Sequence, residues 1–353
     1  MSDPREAFTE VVENQGLCLM KLLIAYDGSR DADSALDDLR AAGLPPTGDA
    51  QVVSIAEVWL PPPGSLDDQN VEPDYVESVL SYCRLQGSRA VAEAEMLARF
   101  AAGRVNAALP DWKVTSLASY GSPGWEIVTA AEDFGADLIL VGAQGHSLLN
   151  RFVLGSISQR VLTEAKCSVR IARGKIELDG GPQKILIGFD GSRGSWAAAR
   201  AVAERNWTDG AEVLLLNVSE QIVPTGIGRF VTPLAASAAK LSDVAAPSLI
   251  ATSATVAVTK LESAGLAASF RSRAGNPKQE LIEEAERWNA DCIFVGANAW
   301  GSRLERFLVG STSAAVASRA HCSVEVVRSL SAKADETDRW ASNARASVIE
   351  ESK

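Results

Sequence analysis

The stretch Ala136-Asp137-Leu138-Ile139-Leu140-Val141-Gly142-Ala143-Gln144-Gly145 decides the fold, because an apolar run passes straight into a glycine turn. Such a run, bounded by turn residues, predicts a short strand at Leu138 to Gly142. Nine residues after Gly145 come Gly155 and Ser156, where a helix is predicted to start. A strand, a glycine loop and a helix N-terminus together form a backbone cradle of the kind that holds phosphate. The chain then repeats itself. Ala290-Asp291-Cys292-Ile293-Phe294-Val295-Gly296-Ala297 echoes Ala136 to Ala143, and Phe307-Leu308-Val309-Gly310-Ser311 echoes Phe152-Val153-Leu154-Gly155-Ser156.

Matching the halves gives an internal ruler. Gly155 to Gly310 and Cys167 to Cys322 are both 155 positions apart, whereas Gly142 to Gly296 and Pro123 to Pro277 are 154 apart, so one residue is inserted between Gly296 and Gly310. Working outward, Lys21 to Tyr26 and Ala50 to Glu57 read as strands around a helix from Arg30 to Ala42. A long helix from Asp74 to Ala108, a strand from Lys113 to Ala118 and a helix from Trp125 to Phe134 lead to the glycine strand. The helix at Ser156 and a fifth strand, Ser168 to Ala172, close the unit. The second half repeats the order, with strands at Lys184 to Phe189, Glu212 to Val218, Ala267 to Arg273, Cys292 to Gly296 and Ser323 to Val327. Its helices are expected at Ser195 to Arg205, Ala239 to Ser263, Lys278 to Trp288 and Ser311 to Ala320.

Strands that alternate with helices imply a parallel sheet with helices on both faces, because parallel strands need crossover connections. The expected fold is therefore α/β, two tandem doubly wound, Rossmann-like domains with a five-stranded parallel sheet each. Their expected bounds are residues 20–172 and 184–328, joined by a linker at 173–183 and flanked by polar tails at 1–19 and 329–353.

A chain of 353 residues with 46% hydrophobic residues can supply a core to each of two domains. Its net charge of −11 argues against extended contact with nucleic acid or an anionic membrane, which need basic stripes. A small nucleotide is still allowed, since beyond a Debye length of about 8 Å local N–H donors outweigh the screened global charge. No apolar run reaches the roughly 20 residues of a membrane helix and no signal peptide is visible, so a cytoplasmic location is expected. Five cysteines without a CxxC pair fit reduced thiols, and two histidines exclude a histidine-rich metal site.

Ligands of open α/β sheets bind beyond the carboxyl ends of the strands. Asp27-Gly28-Ser29 ends the first strand, Ile55 the second and Gly142 the fourth, so three motifs converge on one sheet edge. Gly142 and Gly145 would let the backbone approach a phosphate, while Gly155, Ser156 and Ser158 would add helix N–H groups and hydroxyl donors. Asp27 and Asp190 both stand in Asp-Gly-Ser-Arg, which serves equally as a turn with a helix cap or as a ligand contact. His146 is either a phosphate contact or a solvated loop residue, and Arg151 and Arg306 either phosphate cations or surface pairs. No GxGxxG follows a first strand, no P-loop pattern occurs and no Ser-His-Asp order is visible, so catalysis is not indicated.

The spacing Gly142-x2-Gly145-x9-Gly155-Ser156 resembles that of nucleotide-binding universal stress proteins, and the whole chain is similar to a tandem member of that family. The resemblance implies that the ligand is ATP or a related adenine nucleotide, with or without Mg2+. It further implies that Asp27 contacts adenosine, Ile55 lies against adenine and the glycine loop with Ser156 and Ser158 holds the phosphates. In unit two it maps the adenosine end to Asp190 and Val218, and the phosphate end to Gly296, Gly310, Ser311 and Ser313. There Ala299 replaces the second glycine and Gly301 comes two residues late, so weaker binding or none is expected, with Trp300 a candidate to enter the cleft. The family also implies that the two fifth strands pair edge to edge, so that one chain mimics a homodimer, with further dimerisation of the whole chain possible. A non-binding interaction scaffold and a slow nucleotide hydrolase are the competing readings.

Overall fold

Apolar runs between turn residues become strands here, and the periodic stretches between them become helices. The computed structural model describes residues 19–58, 73–144, 154–173, 181–219, 250–297 and 309–328. Unit one contains β1 (Met20–Ala25), α1 (Arg30–Asp38), β2 (Gly48–Ala56), α2 (Pro73–Ala108), β3 (Trp112–Tyr120), α3 (Pro123–Phe134), β4 (Leu138–Gly142), α4 (Ser156–Glu164) and β5 (Ser168–Ala172). Unit two contains β6 (Lys184–Gly188), α5 (Arg193–Ala203), β7 (Glu212–Ser219), α6 over residues 250–263, β8 (Ala267–Ala274), α7 (Pro277–Trp288), β9 (Cys292–Gly296), α8 (Ser311–Arg319) and β10 (Ser323–Val327).

The four strands nearest the middle of the sheet, β4, β5, β9 and β10, have the bounds read from sequence. Helix ends differ more. The helix expected to reach Ala42 stops at Asp38 and tightens into a single 3-10 turn, Leu39–Ala41, before Gly43 reverses the chain at φ 61°. Helices α3 and α7 begin at Pro123 and Pro277, earlier than expected, because proline is pre-set for the first helical position. Of the second long helix expected from Ala239, residues 239–249 lie outside the described residues, as do most of the linker and most of both tails.

All ten strands form one sheet in the order β3-β2-β1-β4-β5-β10-β9-β6-β7-β8. Every pairing inside a unit is parallel, and the junction of β5 with β10 is antiparallel, with Val169 opposite Val326, Arg170 opposite Glu325 and Ile171 opposite Val324. The expected edge pairing is thus present. It makes the two five-stranded sheets halves of one, and the core on one face runs through the seam. Val169, Ile171 and Leu162 of unit one share a single buried cluster with Val324, Val326 and Ala320 of unit two.

The opposite face of the seam is ionic. Arg170 is fully buried and holds Asp38 of α1 through Nε and Nη2, the latter at 3.0 Å, while its Nη1 lies 3.6 Å from Glu325. Glu325 is in turn gripped by both terminal nitrogens of Arg205, and Ser323 donates its hydroxyl to Asp38 at 2.7 Å. Burial alone would lower the Arg170 pKa, but the Asp38 carboxylate holds it above the usual guanidinium range. Buried charges of this kind are tolerable only when paired and hydrogen-bonded. Two further arginines reach across the seam reciprocally. Arg173 donates to the carbonyls of Ala320 (2.6 Å) and Ser318 (3.0 Å) at the end of α8, and Arg328 donates to those of Leu162 (2.5 Å) and Cys167 (3.2 Å) near the end of α4. Each unit's last arginine therefore satisfies free carbonyls where the other unit's last helix ends, which opposes the helix dipole there.

Candidate functional site

At the end of β1 the chain must turn sharply into α1, and Gly28 does so at a left-handed φ of 77°. Asp27 accepts the Ser29 N–H at 2.9 Å, and the Ser29 hydroxyl oxygen then caps α1 by accepting the Ala32 N–H at 3.2 Å. Unit two repeats this with Gly191 (φ 75°), Asp190 on Ser192 (2.9 Å) and Ser192 on Ser195 (3.2 Å). The turn-and-cap role of Asp-Gly-Ser is therefore realised in both units. It does not remove the aspartates from the site, since both line a cleft.

The end of β4 explains its glycine differently from the sequence reading. A Cβ on Gly142 would stand 2.6 Å from the Asp31 backbone, and one on Gly296 would stand 2.3 Å from the Gly194 backbone. These glycines are required because the first turn of α1, or of α5, crosses directly over the strand end. The Gly155 N–H is spent on the Ala143 carbonyl at 2.8 Å, and that of Gly310 on Ala297 at 2.6 Å. Ser158 is buried and donates its hydroxyl to the Gly142 carbonyl at 2.7 Å, as Ser313 does to Gly296 at 2.6 Å. Their protons are committed to fastening helix to strand, which corrects the expectation that Ser158 offers a spare donor.

What remains open is the helix start itself. Gly155 and Gly310 occupy the N-cap positions of α4 and α8 in extended backbone, φ −63° and −61°, with no side-chain cap. In α1 and α5 a serine oxygen satisfies a first-turn N–H; here no side chain does. Uncapped first-turn N–H groups are anion donors.

In unit one these elements enclose a cleft of about 460 Å3 that brings together Asp27, Ile55, Gly142 and Ser158, with Ile157 of α4 beside them. Ser156 and its N-cap Gly155 adjoin it at the start of α4. Tyr26, Glu57, Glu93 and Leu97 also line it and were not singled out in the sequence. Glu93 and Leu97 come from α2, which no local motif ties to the strand ends. Gly145 and His146 lie outside the described residues, as do Arg151, Arg306, Ala299, Trp300 and Gly301. The equivalent cleft of unit two measures about 330 Å3 and is lined by all six residues expected there: Asp190, Val218, Gly296, Gly310, Ser311 and Ser313. The inserted residue in its loop has not abolished the concavity.

Near cleft one, burial raises the Asp31 pKa, the Asp27 charge adds to the shift and Arg173 opposes it. Tyr26 is likewise raised, by burial and by its 2.9 Å hydrogen bond to Asp33. The cysteines stand apart from this chemistry. Burial pushes Cys167 and Cys292 up to about 12, so both remain protonated thiols inside the sheet. Among the described residues no group of three or more His, Cys, Asp or Glu side chains could hold a metal ion, and no helix is long and apolar enough to cross a membrane.

Comparison with known proteins places the fold in a family. The sequence profile of the Universal stress protein family matches residues 19–173 and 182–328. A protein of Staphylococcus epidermidis assigned to the universal stress proteins is 29% identical over 153 residues, 43% of this chain and 82% of its own length. A universal stress protein from Archaeoglobus fulgidus shares the fold across 88% of this chain and 97% of its own, with TM-score 0.54 at 21% identity. A protein of unknown function from Pseudomonas aeruginosa does so across 93% and 98%, with TM-score 0.53 at 11% identity. With the family profile matching both units and the fold shared along most of its length, this chain belongs to the universal stress protein family.

Proposed function

We propose that the unit-one cleft binds ATP or a related adenine nucleotide, and that occupancy modulates how the two units pair or which partner the protein meets. The observation that carries this is the uncapped start of α4 beside a cleft whose other walls are apolar and acidic. In this reading the base lies against Ile55 and Leu97, the ribose hydroxyls donate to a carboxylate such as Asp27, and the phosphates meet the first-turn N–H groups of α4 with Ser156. A Mg2+ ion, when present, would travel with the phosphates and water rather than on a protein ligand set.

The regulatory half rests on α1. This helix starts at the Asp27–Ser29 turn beside the cleft and ends at Asp38 in the seam, a span of roughly 13 Å for nine residues. A ligand that shifts its first turn acts on the same rigid rod that carries the Arg170 partner. Unit two is proposed as the weaker site, on the strength of its smaller cleft and its departure at Ala299. Thermal unfolding of the full chain tests the binding. ATP at about a hundred times its Kd stabilises by about 2.7 kcal/mol, which shifts the midpoint by several degrees. Adenosine and inorganic triphosphate, each offering half the contacts, are expected to shift it less. No shift at millimolar ATP would leave the non-binding scaffold as the better reading.

A further inference from the structure

Every large apolar side chain that stands exposed among the described residues belongs to unit one, and half of them lie on α2: Tyr82 (63% exposed), Leu85 (50%), Met96 (64%) and Phe100 (59%). At 100° per residue these four fall within about 60° of one another around the helix axis, on the side away from the buried Ala94, Ala98, Ala101 and Val105. The corresponding helix of unit two, α6, instead exposes Thr255, Thr259, Glu262 and Ser263. A narrow apolar stripe on the solvent side of a helix is the pattern of a seam that receives another helix.

The stripe is self-complementary. Its bulky residues lie at two ends, with Arg89 and Glu93 between them on the same side of the helix, and it is nearly palindromic about residue 91. In an antiparallel pair of α2 helices crossing at that point, Tyr82 of one copy meets Phe100 of the other and Leu85 meets Met96. The exposed charges obey the same symmetry, because Arg89 and Glu93 are equally far from the centre and would form two opposite-charge pairs across the axis. Both the apolar pairs and the ion pairs are those of a twofold isologous contact, in which the same patch serves both subunits.

We propose that α2 is a self-association surface whose occupant is the α2 helix of a second copy of this chain, antiparallel and centred on residue 91. Ala90, Glu93, Ala94 and Leu97, on the adjoining side of the same helix, line the unit-one cleft, so the partner helix runs along the mouth of that cleft.

Sedimentation velocity of the full chain, without nucleotide, tests this. The wild type is expected to dimerise, and Arg89→Glu and Glu93→Arg are each expected to weaken the dimer roughly tenfold to a hundredfold, since each turns two attractive pairs into repulsive ones. An equimolar mixture of the two variants should recover the dimer, because each reversed charge then faces its opposite. Local damage cannot produce that recovery. A wild type that stays monomeric, single variants that dimerise like wild type, or a mixture no better than its components would each overturn the proposal.

Discussion

Units one and two share strand order, strand-end turns, the carbonyl that each last-helix serine holds and the arginine that each sends across the seam, yet they differ at the middle of the seam and on their outer helices. At the seam, position 170 is arginine and its counterpart 155 residues later, Glu325, is the opposite charge. Each is neutralised from within its own unit, Arg170 by Asp38 and Glu325 by Arg205, before the two face each other. A seam of two identical units would bury like charges against each other. The two units therefore share a backbone and carry opposite charges at the middle of the seam, which favours pairing of unit one with unit two over pairing with a copy of itself. Outer surfaces diverged similarly, with an apolar stripe on α2 and a polar face on α6.

The largest expected effect comes from breaking that asymmetry. Arg170→Met leaves Asp38 and Glu325 buried with one fewer cation, and chemical denaturation should show a loss of about 3–5 kcal/mol. Replacing Glu325 by Gln should cost less, because Arg205 keeps the Ala42 carbonyl at 2.9 Å and glutamine retains an acceptor. Equal losses would mean that the seam does not distinguish the units. Next come the glycines under the helix crossings. Gly142→Ala and Gly296→Ala each overpack a backbone contact and should cost about 1–3 kcal/mol, with Gly296 the worse because its contact is closer.

A third comparison uses alkaline pH. Cys167 is raised from 9.0 to about 12, and its counterpart Cys322 is raised for the same reason, burial. A raised folded pKa means that stability is complete below pH 9 and falls as the unfolded chain ionises, by about 1.4 kcal/mol per pH unit for each cysteine. Cys167→Ala and Cys322→Ala should flatten the decline above pH 9 by comparable amounts, measured as the pH dependence of the urea midpoint. The smallest effect is the most local. Gly155→Asp has a backbone conformation compatible with an acidic N-cap and should stabilise the folded chain by a few tenths of a kcal/mol, because the new carboxylate takes up a first-turn N–H of α4.

Much of this was legible in the repeat. Apolar runs such as Leu138 to Gly142 and Cys292 to Gly296 have no competing helical reading at that length, so the strands and their order followed. The seam chemistry was legible too, though only in hindsight: Arg170 and Glu325 interrupt apolar strands at matched positions, as Arg173 and Arg328 follow them, and a buried strand does not carry a charge without a partner. What a local motif could not convey is distance. Asp38 lies 132 residues from Arg170 and Glu93 comes to the cleft from a helix with no glycine or cap signal, so their roles depend on tertiary placement. Gly142 has a packing reason that its motif did not reveal, because a glycine needed for a helix crossing and one needed for a phosphate look alike in sequence.

The central claim, that the unit-one cleft, with the open start of α4 as its phosphate end, is the main nucleotide site, is tested most directly by calorimetric titration of ATP into the wild type, Gly155→Asp and Gly310→Asp. The expected result is a tight site that Gly155→Asp abolishes while its fold is at least as stable as before, and that Gly310→Asp leaves in place. Absence of binding in the wild type at millimolar ATP, or loss of the tight site in Gly310→Asp alone, would contradict it.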